Sequence, residues 1–118
     1  MVSLARDHPP TFRRGPTINL NRDPRWGRNG ETASEDPYFN GLYGAAYAEG
    51  AQRSAELPGY LKAIVTLKHW GAYSVDGYTN ATVDIHRQSF DARVSDFDMA
   101  DSYAPTSNRT DSMPQTHG

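Results

Sequence analysis

Arg22, Arg25 and Arg28 stand three residues apart in the run Arg22-Asp23-Pro24-Arg25-Trp26-Gly27-Arg28. Pro24 and Gly27 break any regular element there and fix the path of a turn. A guanidinium offers five N–H donors in a planar fork that matches a carboxylate or an oxygen-rich ligand. Two readings of this loop stand open. In one, its charges pair in solvent with Asp23, Glu31, Glu35 and Asp36, where each pair contributes little. In the other, an arginine reaches into a pocket, Arg28 and Glu31 are aimed by the turn, and Trp26 supplies an apolar surface for the loop or for a sugar ring.

Lys68-His69 forms a second polar set. Together the two side chains offer several donors, which suits a ligand with many hydroxyls, whereas the plainer reading is a strand emerging into solvent. Neighbours on a strand point to opposite faces, so both reach one ligand only if the strand end curls. Asp76, Asp84, His86 and Arg87 follow at spacings that match no metal-ligand pattern. Arg87 fits either a ligand contact or a surface ion pair. Asn80-Ala81-Thr82 and Asn108-Arg109-Thr110 fit the N-glycosylation acceptor pattern, which a chain rich in Ser and Thr also meets by chance. There is no Gly-x-Ser-x-Gly elbow, phosphate-cradling glycine loop or dinucleotide fingerprint. The residues grip hydroxyls, and no nucleophile is evident.

These groups need elements to position them. After Gly15-Pro16, Thr17–Asn21 alternates apolar and polar residues and reads as a strand, with residues 1–14 irregular. Asp36 caps a helix with Pro37 at its first position. Helical spacing gathers Phe39, Leu42, Tyr43, Ala46 and Tyr47 on an apolar face, while Gly41, Gly44, Ala45 and Ala48 keep the helix slim for close approach to a sheet. This helix fades near Ala55. Leu61–Trp70 is the strongest strand, nearly continuous in apolar character, as for a strand covered on both faces. Residues 71–86 form a polar connection, and Ser95 with Asp98 opens a second helix over about Asp96–Tyr103. The segment from Ala104 onward is almost devoid of apolar residues and is expected to be disordered. The order implies two β-α units on a parallel sheet, with both polar clusters beyond the carboxyl ends of the strands.

Composition bounds the rest. The 118 residues suit one modest domain, with net charge −2 and no cysteine, which excludes disulfides and a thiolate metal site. A mean hydropathy of −0.76 is polar enough to leave a core unclosed. No apolar run approaches a membrane span, and no signal-peptide core precedes Arg6 and Asp7. Six of the twelve basic residues fall in the first 28 positions, but interspersed acids argue against a nucleic-acid surface.

The stretches "GPTINLNRDPRWGRNGETASEDPYFNGLYGAAYAEGAQ", "YLKAIVTLKHWGAYSVDGY" and "RQSFDARVSDFDMADSYAP" resemble glycoside hydrolase family 3, most of all its β-xylosidase and β-glucosidase branch. The resemblance covers residues 11–105. It implies part of the family's amino-terminal (β/α)8 TIM-type barrel, about two β-α units of an α/β fold, followed by a disordered tail over residues 106–118. It further implies hydrolysis of terminal non-reducing β-D-xylosyl or β-D-glucosyl residues by a larger, secreted, retaining enzyme that uses no cofactor and acts on β-linked oligosaccharides, with neither nucleic acid nor membrane as partner. By the same resemblance Arg28, Glu31, Lys68, His69 and Arg87 are substrate-binding. The family's nucleophile lies in a Ser-Asp-Trp-like motif that does not occur here, and its acid/base residue comes from a later domain, so no catalytic residue is expected. The chain then looks like a fragment, from a truncated gene, a mispredicted frame or a degraded copy, and is expected to be inactive alone. A non-catalytic carbohydrate-binding remnant is the alternative.

Overall fold

The computed structural model describes residues 11–56, 58–89 and 91–111. Strand β1 (Thr11–Thr17) pairs in parallel with β2 (Ala63–Lys68), and helix α1 (Pro37–Gln52) connects them. The β-α-β order expected from the sequence is present. Rungs run from Thr11↔Ala63 to Arg14↔Thr66, and after a shift Thr17 pairs with Lys68. The shift spans Gly15-Pro16, where proline has no N–H to give the ladder.

The first strand lies earlier than expected. Of the expected strand Thr17–Asn21 only Thr17 belongs to β1, and residues 11–14 of the segment expected to be irregular belong to it as well; residues 1–10 lie outside the described residues. Pairing with β2 imposes extended backbone on Arg13 and Arg14 whatever their own preference. The alternation that suggested a strand marks burial instead: Thr17, Ile18, Asn19 and Leu20 all turn inward as the chain leaves the ladder. The Ile18 N–H donates to the Lys68 carbonyl at 2.7 Å, so the strand ends stay side by side.

Helix α1 starts as its sequence dictates. The Asp36 carboxylate accepts from the Tyr38 and Phe39 N–H groups at 2.8 and 3.3 Å, and Pro37 opens the first turn. Its buried face is the reverse of the expected one. Asn40, Gly41, Gly44 and Ala45 are buried, whereas Phe39, Leu42, Tyr43 and Tyr47 face outward. The slim face does permit close approach, but chiefly to another helix. That partner is the carboxy-terminal segment, where α2 (Asp96–Asp98), a wide π turn (Met99–Tyr103) and α3 (Ala104–Asp111) follow one another.

The start at Ser95 was legible: its hydroxyl accepts from the Asp98 N–H at 3.0 Å and donates to the Asp98 carboxylate at 2.7 Å. The end was not. Residues 104–111 are helical where disorder was expected, while residues 112–118 lie outside the described residues. Packing on α1 supplies what composition lacks, with Thr106 buried and its hydroxyl donating to the Pro37 and Ser102 carbonyls at 3.3 and 3.2 Å. The π turn falls just before Pro105, whose ring and missing N–H disrupt an ordinary i to i−4 ladder.

Two further expectations change. The connection over residues 71–86 contains a hairpin of β3 (Gly77–Thr79) and β4 (Asp84–His86). Gly77 has φ 145°, and a side chain there would collide with the Ile85 carbonyl. Strand β2 is not covered on both faces: Ala63 is buried, but Thr66 is exposed and the rest are half-buried, because one strand and one helix are its main neighbours.

Buried apolar residues among those described are Ile18, Leu20, Trp26, Ala45 and Ala63. The chain exposes 9043 Å², against roughly 6,400 Å² for a compact monomer of its mass. Polar clamps therefore matter more than usual. Asn40 is fully buried, and its amide N–H groups donate to the Asn19 and Ser34 carbonyls at 3.0 and 2.7 Å. Asn40→Leu keeps the bulk and strands both carbonyls, so a loss of about 2–4 kcal/mol is expected. Urea titration followed by circular dichroism measures it, and a change below about 0.5 kcal/mol would contradict this role.

Candidate functional site

The loop after β1 is two short 3-10 turns, Pro24–Trp26 and Asn29–Glu31, separated by Gly27 at φ 81°. Asp23 caps the first, accepting from the Arg25 N–H at 2.8 Å. The three arginines then part company. Arg25 folds back on Asp23 at 2.7 Å with its side chain 89% exposed, and pulls the Asp23 carboxyl down to about 2. Arg22 donates to the Tyr103 hydroxyl at 3.2 Å. Arg28 turns inward with 20% of its side chain exposed.

Arg28 grips Glu31 through two parallel bonds, Nε to Oε1 at 2.7 Å and Nη2 to Oε2 at 2.8 Å. Its Nη1 donates to the Tyr73 hydroxyl at 2.9 Å. Arg87 Nη1 donates to the same hydroxyl, also at 2.9 Å. Asp76 lies 3.7 Å from Arg28 and 3.5 Å from Arg87, an ion pair to each at longer than hydrogen-bond range. One phenol and one carboxylate therefore hold two guanidinium groups that would otherwise repel.

The second strand end meets them there. Lys68 is the last residue of β2, and the Lys68–His69 peptide bond is cis. His69 lies edge-on to Tyr73, with ring centroids 4.6 Å apart, and Trp26 contacts the same ring at 5.5 Å. Both the His69 N–H and its Nδ1 lie 3.0 Å from Asn19 Oδ1. That oxygen can only accept, so Nδ1 carries the proton in the neutral ring and Nε2 keeps its lone pair. The Asn19 amide nitrogen in turn donates to the Tyr73 carbonyl.

The charges are coupled. Partial burial, then the nearby Lys68, Arg28 and Arg87 cations, hold His69 below the ordinary imidazole range. Glu31 is held below the usual carboxylate range, first by its bonds to Arg28, with smaller help from Lys68 and His69. The cluster is thus a set of cationic donors with one neutral imidazole that both donates and accepts.

Of the five residues singled out, Arg28, Glu31, His69 and Arg87 are joined through Tyr73 directly or by one step, and Lys68 acts on Glu31 and His69 through its charge. Trp26 is 5% exposed, which settles its part: it packs the loop and offers no open face to a ring. Asp84 and His86 pair with each other at 3.0 Å on the exposed hairpin, apart from the cluster's bonds. Sequence reading missed Tyr73 and Asn19. Tyr73 carried a signal, an aromatic inside a polar connection just after Lys68-His69. Asn19 carried none, because it occupied a polar slot in an alternating run.

A sequence profile of the glycosyl hydrolase family 3 N terminal domain matches residues 11–100. Beta-D-xylosidase 3 of Arabidopsis thaliana is 40% identical over 91 residues, 76% of this chain and 11% of that protein. Beta-xylosidase/alpha-L-arabinofuranosidase 1 of Medicago sativa subsp. varia is 41% identical over 91 residues, with the same two shares. A probable exo-1,4-beta-xylosidase of Aspergillus terreus is 39% identical over 90 residues, again 76% of this chain and 11% of that protein. The chain therefore spans about a ninth of the length of these curated relatives. No solved structure matches it.

The depressed His69 value has a measurable consequence. The unfolded chain binds the His69 proton at higher pH than the folded one, so stability falls as pH drops below about 6.5 toward the folded value. Glu31 acts with the same sign further down, below its ordinary 4.5. His69→Gln is expected to flatten the loss of urea midpoint between about pH 7 and the folded His69 value. An NMR titration placing His69 at or above 6.5 would contradict the arrangement.

Proposed function

The chain belongs to glycosyl hydrolase family 3, and from that premise we propose that it forms one wall of the innermost sugar subsite of a retaining β-xylosidase or β-glucosidase. The observation that carries this reading is the convergence of two strand ends on one phenol, with Arg28 and Arg87 both donating to Tyr73 and His69 packed on its ring. The names of the curated relatives favour a β-linked xyloside as the substrate class.

Each group has a part in this reading. Lys68, Arg28 and Arg87 present donors to ring hydroxyls, and the lone pair on Nε2 of His69 accepts from one. Glu31 and Asp76 fix the guanidinium groups, so the ring is held by donors already in place as positive charge develops at its anomeric carbon. Glu31 is a poor candidate for the proton donor, since Arg28 keeps it ionised. A retaining mechanism needs two carboxyl groups about 5 to 5.5 Å apart, and this reading draws both from other segments of a longer, secreted enzyme. It also takes β1, α1 and β2 as successive parts of a (β/α)8 barrel, where the exposed Phe39, Leu42, Tyr47 and Trp70 pack against further units. Alone, the chain binds sugar weakly and turns over nothing.

Calorimetric titration with xylobiose tests this, alongside an aryl β-xyloside assay. Arg28→Ala and Lys68→Met are each expected to weaken binding about tenfold or more, near 1.4 kcal/mol. Tyr73→Phe keeps the ring contacts, removes the shared acceptor, and is expected to cost about 0.5–1.5 kcal/mol of binding. Absence of saturable binding, or binding indifferent to all three changes, would count against the subsite. Turnover by the chain would overturn its assignment as a wall without a reaction centre.

A further inference from the structure

The hairpin loop that follows the site contains a group the sugar subsite does not use. Residues 80–83 join β3 to β4, closed by the Asn80 N–H donating to the Val83 carbonyl at 2.8 Å. Both strands and the whole loop are exposed. The Asn80 carboxamide oxygen accepts three bonds: from the Thr82 N–H at 2.8 Å, the Thr82 hydroxyl at 3.0 Å and the Val83 N–H at 2.8 Å. The carboxamide nitrogen donates one of its two N–H groups to the Tyr78 hydroxyl at 2.9 Å.

We propose that Asn80 is an N-glycan acceptor, and that Asn108 is not. The two sequons are equal in sequence and unlike in structure. In Asn80-Ala81-Thr82 the threonine hydroxyl bonds the carboxamide it must activate. Asn108-Arg109-Thr110 lies inside helix α3 and not in a loop.

The chemistry follows from the bonds. Glycosylation forms a bond from Asn80 Nδ2 to the anomeric carbon of a lipid-pyrophosphate-linked oligosaccharide. The anomeric C–O bond breaks, the lipid pyrophosphate leaves with the electron pair, and Nδ2 gives up one proton to a base. Negative charge shifts onto the carboxamide oxygen as that proton leaves, and three donors already point at this oxygen. The position also suits a bulky group. Asp76 and Arg87 flank the foot of the hairpin, joined by an Arg87 N–H to Asp76 carbonyl bond at 3.0 Å. Four residue steps of about 3.4 Å lead from Asp76 at that foot to Asn80 at the tip, so a glycan on Asn80 is attached roughly 14 Å from the charged cluster.

The test uses the full chain, translated behind a cleavable secretory leader into eukaryotic microsomes, with protection from added protease showing entry. A mobility shift reversed by peptide N-glycosidase is expected, and the enzyme leaves aspartate at position 80 for mass spectrometry to read. Asn80→Gln and Thr82→Ala are each expected to abolish the shift, while Thr82→Ser and Asn108→Gln retain it. A protected chain that carries no glycan, or a shift that survives Asn80→Gln, overturns the proposal. Neither result bears on xylobiose binding, so the two readings fail separately.

Discussion

A buried side-chain amide, that of Asn19, is the joint on which the rest of the arrangement depends. Its oxygen takes two N–H groups from His69, its nitrogen donates to the Tyr73 carbonyl, and its own backbone carbonyl accepts from Asn40 in the first turn of α1. Helix, first strand end, second strand end and the Tyr73 turn are thereby tied at one point. A core with few buried apolar side chains cannot fix these elements by packing alone. Directional bonds in a low-dielectric pocket can. The same bonds set the His69 tautomer, so the structural joint also decides which nitrogen keeps its lone pair.

Electrostatics extend from that joint. Lys68, Arg28 and Arg87 bring three positive charges to one rim, a gathering that costs free energy unless anions and polarisable rings sit among them. Glu31 and Asp76 are those anions, and the Tyr73 ring lies 5.7 and 5.9 Å from the two guanidinium carbons. His69 is the group that yields: partial burial and the neighbouring cations favour its neutral form. The rim thus gathers many hydrogen-bond donors and one imidazole acceptor at a single edge.

Local chemistry was readable from the sequence, and choices of face were not. The Asp36-Pro37 cap, the Ser95-Asp98 pair and the broken turn at Pro24-Gly27 depend on residues within three positions of one another, and all three took the expected form. The α1 face could not be read that way, because Gly41, Gly44 and Ala45 are buried by what α3 brings against them, and α3 itself is held by α1. Neither helix predicts the other from its own periodicity. Thr17–Leu20 shows the converse error: the apolar and polar residues alternate in sequence, but all four are buried, as in an interior crossing and not a half-covered ladder. For the site, residue types with several donors stood out, while the neutral groups that orient them, Asn19 and Tyr73, did not.

Order in this chain is distributed unusually. Six large apolar side chains, Phe12, Tyr38, Phe39, Tyr60, Leu61 and Trp70, are among those at least half exposed, while Asn19, Asn40, Ser102 and Thr106 are buried. A fold whose interior is half polar and whose surface carries many large apolar groups gains less from water exclusion and more from hydrogen-bond geometry. Its weak point is then global stability, and its strong point is local precision at the strand ends. Further apolar contacts along α1 and β2 would raise the first without disturbing the second, because the bonds around Asn19 and Tyr73 involve none of the exposed faces.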